Sequence, residues 1–240
     1  MRREVSNWKS LISANGVPID EDQIDRLNLY SNLLIEWNSK VNLVSRKDER
    51  NIWPNHILHS ISLLFTLAIP DGVIAADIGS GGGLPGVPLA IMLPKVQMIM
   101  IESIRKKCVA LRDIVLRLGI PNARVVEGRV EEISALKDHR SRFDVVFARS
   151  VAPLKDLITW AVPLVRKESG FNVATRAVPG STREQLRTPL LVAMKGGNLE
   201  EEIAQAKQMP DCRGFCSFDL HFSGIEQTTL VEKKIILISL

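Results

Sequence analysis

The sequence predicts an α/β fold, a parallel sheet covered by helices on both faces and set behind a helical N-terminal region. Two observations predict the sheet. From residue 73 onward, short apolar runs (VIAADI, VQMIMIE, ARVVEG, FDVVFARS, LLVAMKGG) alternate with stretches of helical character, as in strands buried on both faces and joined by crossover helices. A glycine-dense stretch, DIGSGGGLPG at 77–86, lies between the first apolar run and a helix, where a strand-to-helix turn belongs. A third observation sets residues 1–70 apart from residues 71–240: their apolar residues recur at helical spacing.

The elements follow in order. A first helix is predicted at about 4–14, closed by Asn15-Gly16. In DEDQIDRLNLYSNLLIEWN, Ile24, Leu27, Leu34 and Trp37 share one helical face, with Asp20 as N-cap. Another helix is expected at about 52–67, with Pro54 in its first turn, where a missing N–H does no harm. VIAADI then enters the glycine turn, VPLAIM leaves it as a helix, and VQMIMIE is a second strand ending in Glu102. SIRKKCVALRDIVLRLG is amphipathic and stops at Gly119 and Pro121. ARVVEG, VEEISAL, FDVVFARS and LKDLITWAVPLV read as strand, short helix, strand and helix. ESGFNVATRAVPGSTREQLRTP has no periodicity and reads as a long surface segment. LLVAMKGG resumes the sheet, NLEEEIAQAKQ is a helix, and FCSFDLHF with LVEKKIILISL forms a terminal strand pair.

Composition narrows the class. The 240 residues are 45% hydrophobic and 24% charged, ordinary values for a soluble globular protein. No apolar run approaches the roughly 20 residues of a membrane span. The start MRREVSNWKS lacks the apolar stretch of a signal peptide, so a cytoplasmic location is expected. Cys108, Cys212 and Cys216 are too few for a disulfide framework and have no histidine at zinc-ligand spacing. Plain thiols and no metal site are expected, although Cys212 and Cys216 would meet if their stretch were helical. The net charge of +4 is uneven: residues 1–70 hold eight basic and eight acidic residues, residues 103–187 seventeen and nine. A basic middle suits a polyanionic partner such as nucleic acid, and equally a solvated surface.

Two cofactor readings compete for the glycines. Gly81-x-Gly83-x-x-Gly86 fits the dinucleotide fingerprint, with Glu102 twenty-one residues beyond Gly81. Asp77-x-Gly79-x-Gly81-x-Gly83 instead resembles motif I of the S-adenosylmethionine (SAM) methyltransferases. There the acid ending the first strand orients the methionine end of the cofactor, and the acid ending the second binds the ribose. Asp77 has a place only in this reading. A turn that binds nothing does not account for three consecutive glycines, each costly to order. GRVEE (128–132) after the third strand and the terminal strand pair point the same way. The sheet then becomes a Rossmann-like, seven-stranded class I methyltransferase sheet, with ligands at the carboxyl ends of its strands.

NHILHS (55–60), DIGSGGGLPGVPLAI (77–91), ES-x-x-KK (102–107), RVEE (129–132), ARSVAPL (148–154) and MKGG (194–197) together resemble the RsmG family, also called glucose-inhibited division protein B. Leu84-Pro85-Gly86 is the most diagnostic part, and the resemblance runs from about residue 25 to 200. It implies transfer of a methyl group from SAM to guanine N7 in the 530 loop of bacterial 16S ribosomal RNA. The partner is then 16S rRNA or the small ribosomal subunit, met by a monomer. Carried over by position, it implies cofactor contacts at Gly79, Leu84, Glu102, Ser103, Ile104, Val130, Glu131 and Arg149, with Asp77, Gly81 and Gly83 joining through motif I. Arg149 is also the catalytic candidate, as a donor to guanine O6, a phosphate or the cofactor carboxylate. Guanine N7 carries an in-plane lone pair and no proton, so the reaction needs alignment rather than a general base.

Two departures stand out. The family has Asp where this chain has His59, and residues 168–190 look like an insertion before the strand carrying Lys195. They are the support for a second reading, an rRNA-binding assembly factor without turnover. A third, an NAD-dependent oxidoreductase, is opposed by Asp77 and the terminal strands. Among other candidates, His56 reads as a packed core histidine that also falls in a family motif. Arg105, Lys106 and Lys107 meet phosphate or plain solvent, and Lys195 touches RNA or caps structure. Tyr30 and the tryptophans read as core.

Overall fold

The computed structural model describes residues 2–176 and 185–240. Helices α1 (Arg2–Ala14) and α2 (Glu21–Asn38) form where the apolar spacing places them. Asp20 caps α2 reciprocally: its carboxylate accepts from the Gln23 N–H at 2.7 Å, and the Gln23 side-chain oxygen accepts from the Asp20 N–H at 3.1 Å. The helix expected at 52–67 is broken. After a 3-10 turn at Arg46–Asn51, a π-helical turn over Trp53–Leu58, with Pro54 at its start, runs into α3 (His59–Ile61) and α4 (Leu63–Thr66). A two-residue strand, β1 (Leu67–Ala68), follows.

β2 (Ile74–Ile78) leads through the glycine turn to α5 (Gly86–Met92), β3 (Gln97–Glu102) to α6 (Arg105–Leu118), and β4 (Ala123–Glu127) to α7 (Val130–Ile133). Gly119 closes α6 in the left-handed conformation. β5 (Val145–Arg149) is followed by α8 (Leu154–Ala161), which stops short of the predicted end. Pro163 has no N–H to continue it, and Val165 bridges to Phe143 instead.

The stretch without periodicity, read as a long surface segment, contains two strands, β6 (Asn172–Thr175) and β7 (Gln185–Arg187). They pair antiparallel, and β6 also pairs with β1, making a small three-stranded sheet. Strands this short leave no readable period-two pattern. The part of this segment at 177–184 lies outside the described residues. The segment is rooted on buried Asp144, whose Oδ1 accepts from Ser169 Oγ at 2.8 Å while Thr188 donates to the Phe171 carbonyl at 3.0 Å. β8 (Leu190–Gly196), α9 (Glu200–Lys207), β9 (Gly214–Asp219) and β10 (Lys233–Ser239) complete the chain. Cys212 precedes β9 and Cys216 lies within it, so they share no helix.

The main sheet has the order β4-β3-β2-β5-β8-β10-β9, with β10 antiparallel to both its neighbours and the other pairs parallel. This is the predicted seven-stranded arrangement. Chain order reverses between β2 and β5, and a crevice opens at the carboxyl ends of strands at such a point. Alternation assigns the two faces. Ala75, Met98, Met100, Val145 and Phe147 pack with α1–α6, whereas Ala76, Ile78, Ile99, Ile101, Val146 and Ala148 pack under α7–α9. By the same alternation Asp77, Glu102 and Arg149 belong to the face that the N-terminal helices cover. Among the described residues no helix is long and apolar enough to cross a membrane.

Candidate active site

The polar groups gather at the carboxyl ends of β2 and β5. The turn after β2 is built for absent side chains. Gly79 has φ +67, and a Cβ there would sit 2.7 Å from Val151 Cγ1. At Gly86 a Cβ would sit 2.7 Å from Asp77 Oδ2 and 2.8 Å from Met100 Cγ. The close approach at Gly86 lets its N–H reach Asp77 Oδ2 at 3.0 Å.

Asp77 is fully buried, and among the described residues its Oδ1 has no hydrogen-bond partner. Burial pushes its carboxyl up to about 7, outweighing the nearby Ser80 hydroxyl, the Gly86 hydrogen bond and the Arg149 charge that pull it down; the Ser80 hydroxyl itself donates to the Asp77 main-chain carbonyl at 2.8 Å. Glu102 is also buried but satisfied: Oε2 accepts from the Gly81 N–H and Oε1 from the Ile104 N–H, both at 2.8 Å. It therefore ties the glycine turn to the segment leaving β3.

The N-terminal helices hold the turn from the other side. Tyr30, read as core, is fully buried and donates to the Gly82 carbonyl at 2.9 Å. Leu34 and Leu43 press on the same residue, 3.0 and 3.3 Å from where a Gly82 Cβ would lie. Arg149 is half-buried, with Nη2 3.1 Å from His56 Nδ1. Burial lowers its pKa, with Tyr30, Asp77 and Asp48 opposing, and an arginine keeps its charge in such surroundings. His56 is held down to about 4, first by burial and then by the Arg149 charge, so it is neutral at pH 7. His59 is lowered by the same two causes, and its buried Nε2 has no partner among the described residues.

On the opposite face of the sheet a cleft of about 150 Å³ brings together four of the predicted residues, Gly79, Ser103, Val130 and Glu131. Ile78, Ile101, Gly128, Arg129, Val151 and Trp160 complete its wall. Asp77, Gly81, Gly83 and Glu102 frame the turn beside this cleft. Leu84 is buried, Ile104 is exposed, and Arg149 stands across β5 from the cleft. Sequence reasoning missed Val151 and read Trp160 as core. Helical spacing shows that Trp160 is on the inner side of α8, but not that the neighbouring surface is a cleft. Lys195 turns inward, donating to the Ala152 carbonyl and pairing with Glu202, so its role is to hold the loop after β5 against α9. Arg105 and Lys106 stand exposed at the start of α6, and Arg129 and Lys155 at the starts of α7 and α8. These positions all follow the carboxyl ends of strands and form a basic rim. The described ends of the 168–190 segment are rooted instead at the amino end of β5, where the Leu190 N–H donates to the Asp144 carbonyl at 3.1 Å.

The family model for rRNA small subunit methyltransferase G (GidB) matches residues 23–178. The chain belongs to that family. The matched span includes every residue lining the cleft, together with Tyr30, His56, Asp77 and Arg149. Ribosomal RNA small subunit methyltransferase G of Chlorobium luteolum is 36% identical over 231 residues, covering 95% of this chain and 87% of the relative. The protein of the same name from Chlorobium limicola is 34% identical, covering 98% of this chain and 96% of the relative. Among solved structures, the O-methyltransferase TomG of Streptomyces achromogenes superimposes with a TM-score of 0.51 at 16% identity, over 93% of this chain and 91% of its own. That likeness concerns the fold.

Proposed function

We propose that this protein transfers the methyl group of SAM to N7 of a guanine in the 530 loop of 16S ribosomal RNA. The observation that carries the reading is Asp77: a fully buried carboxyl group with one oxygen that has no hydrogen-bond partner among the described residues, beside a glycine turn, in a chain of the rRNA methyltransferase family. A buried carboxylate oxygen calls for a cationic donor, and the ammonium at the amino-acid end of SAM is one. A dinucleotide carries no ammonium group. The rest of the site fits the same molecule. The bare backbone at Gly79 and Gly81 admits close approach, Glu102 keeps free lone pairs for ribose hydroxyls, and Ile101, Val130 and Trp160 offer apolar walls to a purine.

Bound SAM supplies an electrophilic methyl group on a positively charged sulfonium. Everything else falls to the protein. N7 of guanine has no proton to lose, so no general base is required, and His56 and His59 are both neutral in their buried positions. What remains is alignment. Arg149 ends β5, next to β2, which carries Asp77, so a donor aimed at guanine O6 or a phosphate stands beside the group that holds the cofactor. The basic rim of Arg105, Lys106, Arg129 and Lys155 meets phosphates, which position an RNA without reading its sequence. The described parts of the 168–190 segment are rooted at the far end of the sheet from the glycine turn, which supports turnover over the assembly-factor reading.

The test uses SAM carrying a tritiated methyl group and small ribosomal subunits that lack N7 methylation, with the RNA then cleaved at N7-methylguanine. Label at one guanine of the 530 loop is expected, and it should fall sharply in Arg149→Ala with RNA retention nearly unchanged. No label, with SAM binding intact by calorimetry, would overturn the enzyme reading in favour of a binding factor.

A further inference from the structure

Arg149 is a long side chain at a strand end, and a free arginine loses about 2 kcal/mol of rotamer entropy when fixed. Something must hold it. Among the described residues it has one contact of hydrogen-bonding length, from Nη2 to His56 Nδ1 at 3.1 Å. A guanidinium is donor-only, so Nδ1 must be the acceptor and Nε2 must carry the ring proton. Nε2 lies 3.7 Å from Asp48 Oδ2, beyond hydrogen-bond reach, and has no hydrogen-bond partner among the described residues. Asp48 is itself fixed, because its Oδ1 accepts from Asn55 Nδ2 at 3.0 Å, and Asn55 Oδ1 accepts from the Thr229 hydroxyl at 2.7 Å. The hydrogen-bonded line Thr229–Asn55–Asp48 and the pair His56–Arg149 bring together the 3-10 turn, the π-helical turn, the end of β5 and the chain before β10, with Asp48 near His56 but not hydrogen-bonded to it. A π-turn inside a helix is an unfavourable geometry that tends to mark functional positions, and here it carries both Asn55 and His56.

We propose that His56 is a positioning residue for Arg149: its neutral ring takes one guanidinium N–H at Nδ1 and thereby sets the direction in which the remaining donors face the acceptor guanine. This rests on the placement of Arg149 in the methyl-transfer site. The lone pair of Nδ1 is occupied, so His56 is no base. The charged and titratable groups around the pair are Asp48 beside His56, Asp77 and Tyr30 toward Arg149, and His59, which also feels Lys233. No carboxylate touches His56 closely enough to make it an imidazolium.

The experiment is a double-mutant cycle on the full-length protein, with SAM and small ribosomal subunits as substrates. His56→Ala should lower kcat about tenfold, as expected for loss of alignment, while the subunit KM and the calorimetric SAM Kd stay within about twofold. Because His56 acts through Arg149, adding His56→Ala to Arg149→Ala should cost less than a further twofold. His56→Asn, whose side-chain oxygen reaches the position of Nδ1, should recover most of the lost kcat. His56→Gln, which offers no acceptor there, should not, and it replaces the alanine variant in the cycle if that variant fails to fold. An equal loss from the His56 variant with and without Arg149, or Asn doing no better than Gln, would overturn the proposal. If Arg149→Ala by itself leaves kcat unchanged, the placement of Arg149 is what fails.

Discussion

Replacing Asp77 by Asn should stabilise the cofactor-free protein at alkaline pH while removing its hold on the cofactor. Burial raises the Asp77 carboxyl from its ordinary 3.8 to about 7. The unfolded chain therefore gives up this proton near pH 4, and the folded chain keeps it until about pH 7. The contribution of the neutral acid to stability is complete below pH 4 and is lost as the pH rises to about 7. The loss is roughly 4 kcal/mol, from about three pKa units at 1.36 kcal/mol each. Asn cannot ionise and escapes that loss. It keeps an acceptor for the Gly86 N–H but places an amide N–H where Oδ1 has no partner, at a cost of about 1–3 kcal/mol. The variant should then be more stable by roughly 1–3 kcal/mol at pH 8, several degrees in Tm for a chain of this size, with the gap closing toward pH 5. Thermal melts of both proteins from pH 5 to 8.5, with and without SAM, measure this. SAM should raise the Tm of the wild type and not that of the variant. If SAM binds only the ionised acid, wild-type affinity should rise about tenfold between pH 6 and 8, as the competent fraction grows from about a tenth to about nine tenths. Melting curves that run parallel at every pH would refute the burial argument. Equal stabilisation of both proteins by SAM would refute the role given to Asp77.

Other substitutions probe the turn and the rim. Gly86→Ala drives a Cβ to 2.7 Å from Asp77 Oδ2, so it should cost about 1–3 kcal/mol and weaken SAM binding; an unchanged Tm would show that the turn relaxes freely. Tyr30→Phe removes the hydrogen bond to the Gly82 carbonyl and should cost about 1 kcal/mol, read by chemical denaturation, with RNA binding unaffected. Charge removal at Arg105 and Lys106 should flatten the dependence of RNA affinity on salt by about one to two units of log–log slope. Lys195→Ala, by contrast, should lower stability and leave that slope alone, since Lys195 is already paired with Glu202. A slope unmoved by the first pair or lowered by the second would reassign the surface that meets phosphate.

The order of strands and helices was legible in the sequence, because periodicity and helix stops are local. Asp20 as a cap, Gly119 as a stop, and an apolar run emptying into an acid and a glycine turn each act within a few residues. The composition of the turn likewise needed no neighbours to be read, since an acid followed by alternate glycines already limits what can lie against it. What the sequence did not show depends on segments that meet across long separations. Leu67–Ala68 becomes a strand only because Ala174 and Thr175 arrive beside it. Trp160 faces a cleft because β2 and β5 are neighbours, and Lys195 is engaged inward because α9 returns over the loop after β5. His56 and Arg149 are 93 residues apart, one on a helical turn read as core and the other at a strand end. Local pattern assigned each to its element, but their contact exists because the N-terminal helices pack on the sheet face toward which alternation turns Asp77 and Arg149. Burial there removes the solvent that would otherwise satisfy these groups, and this leaves Asp77 with a raised pKa and Arg149 dependent on a histidine.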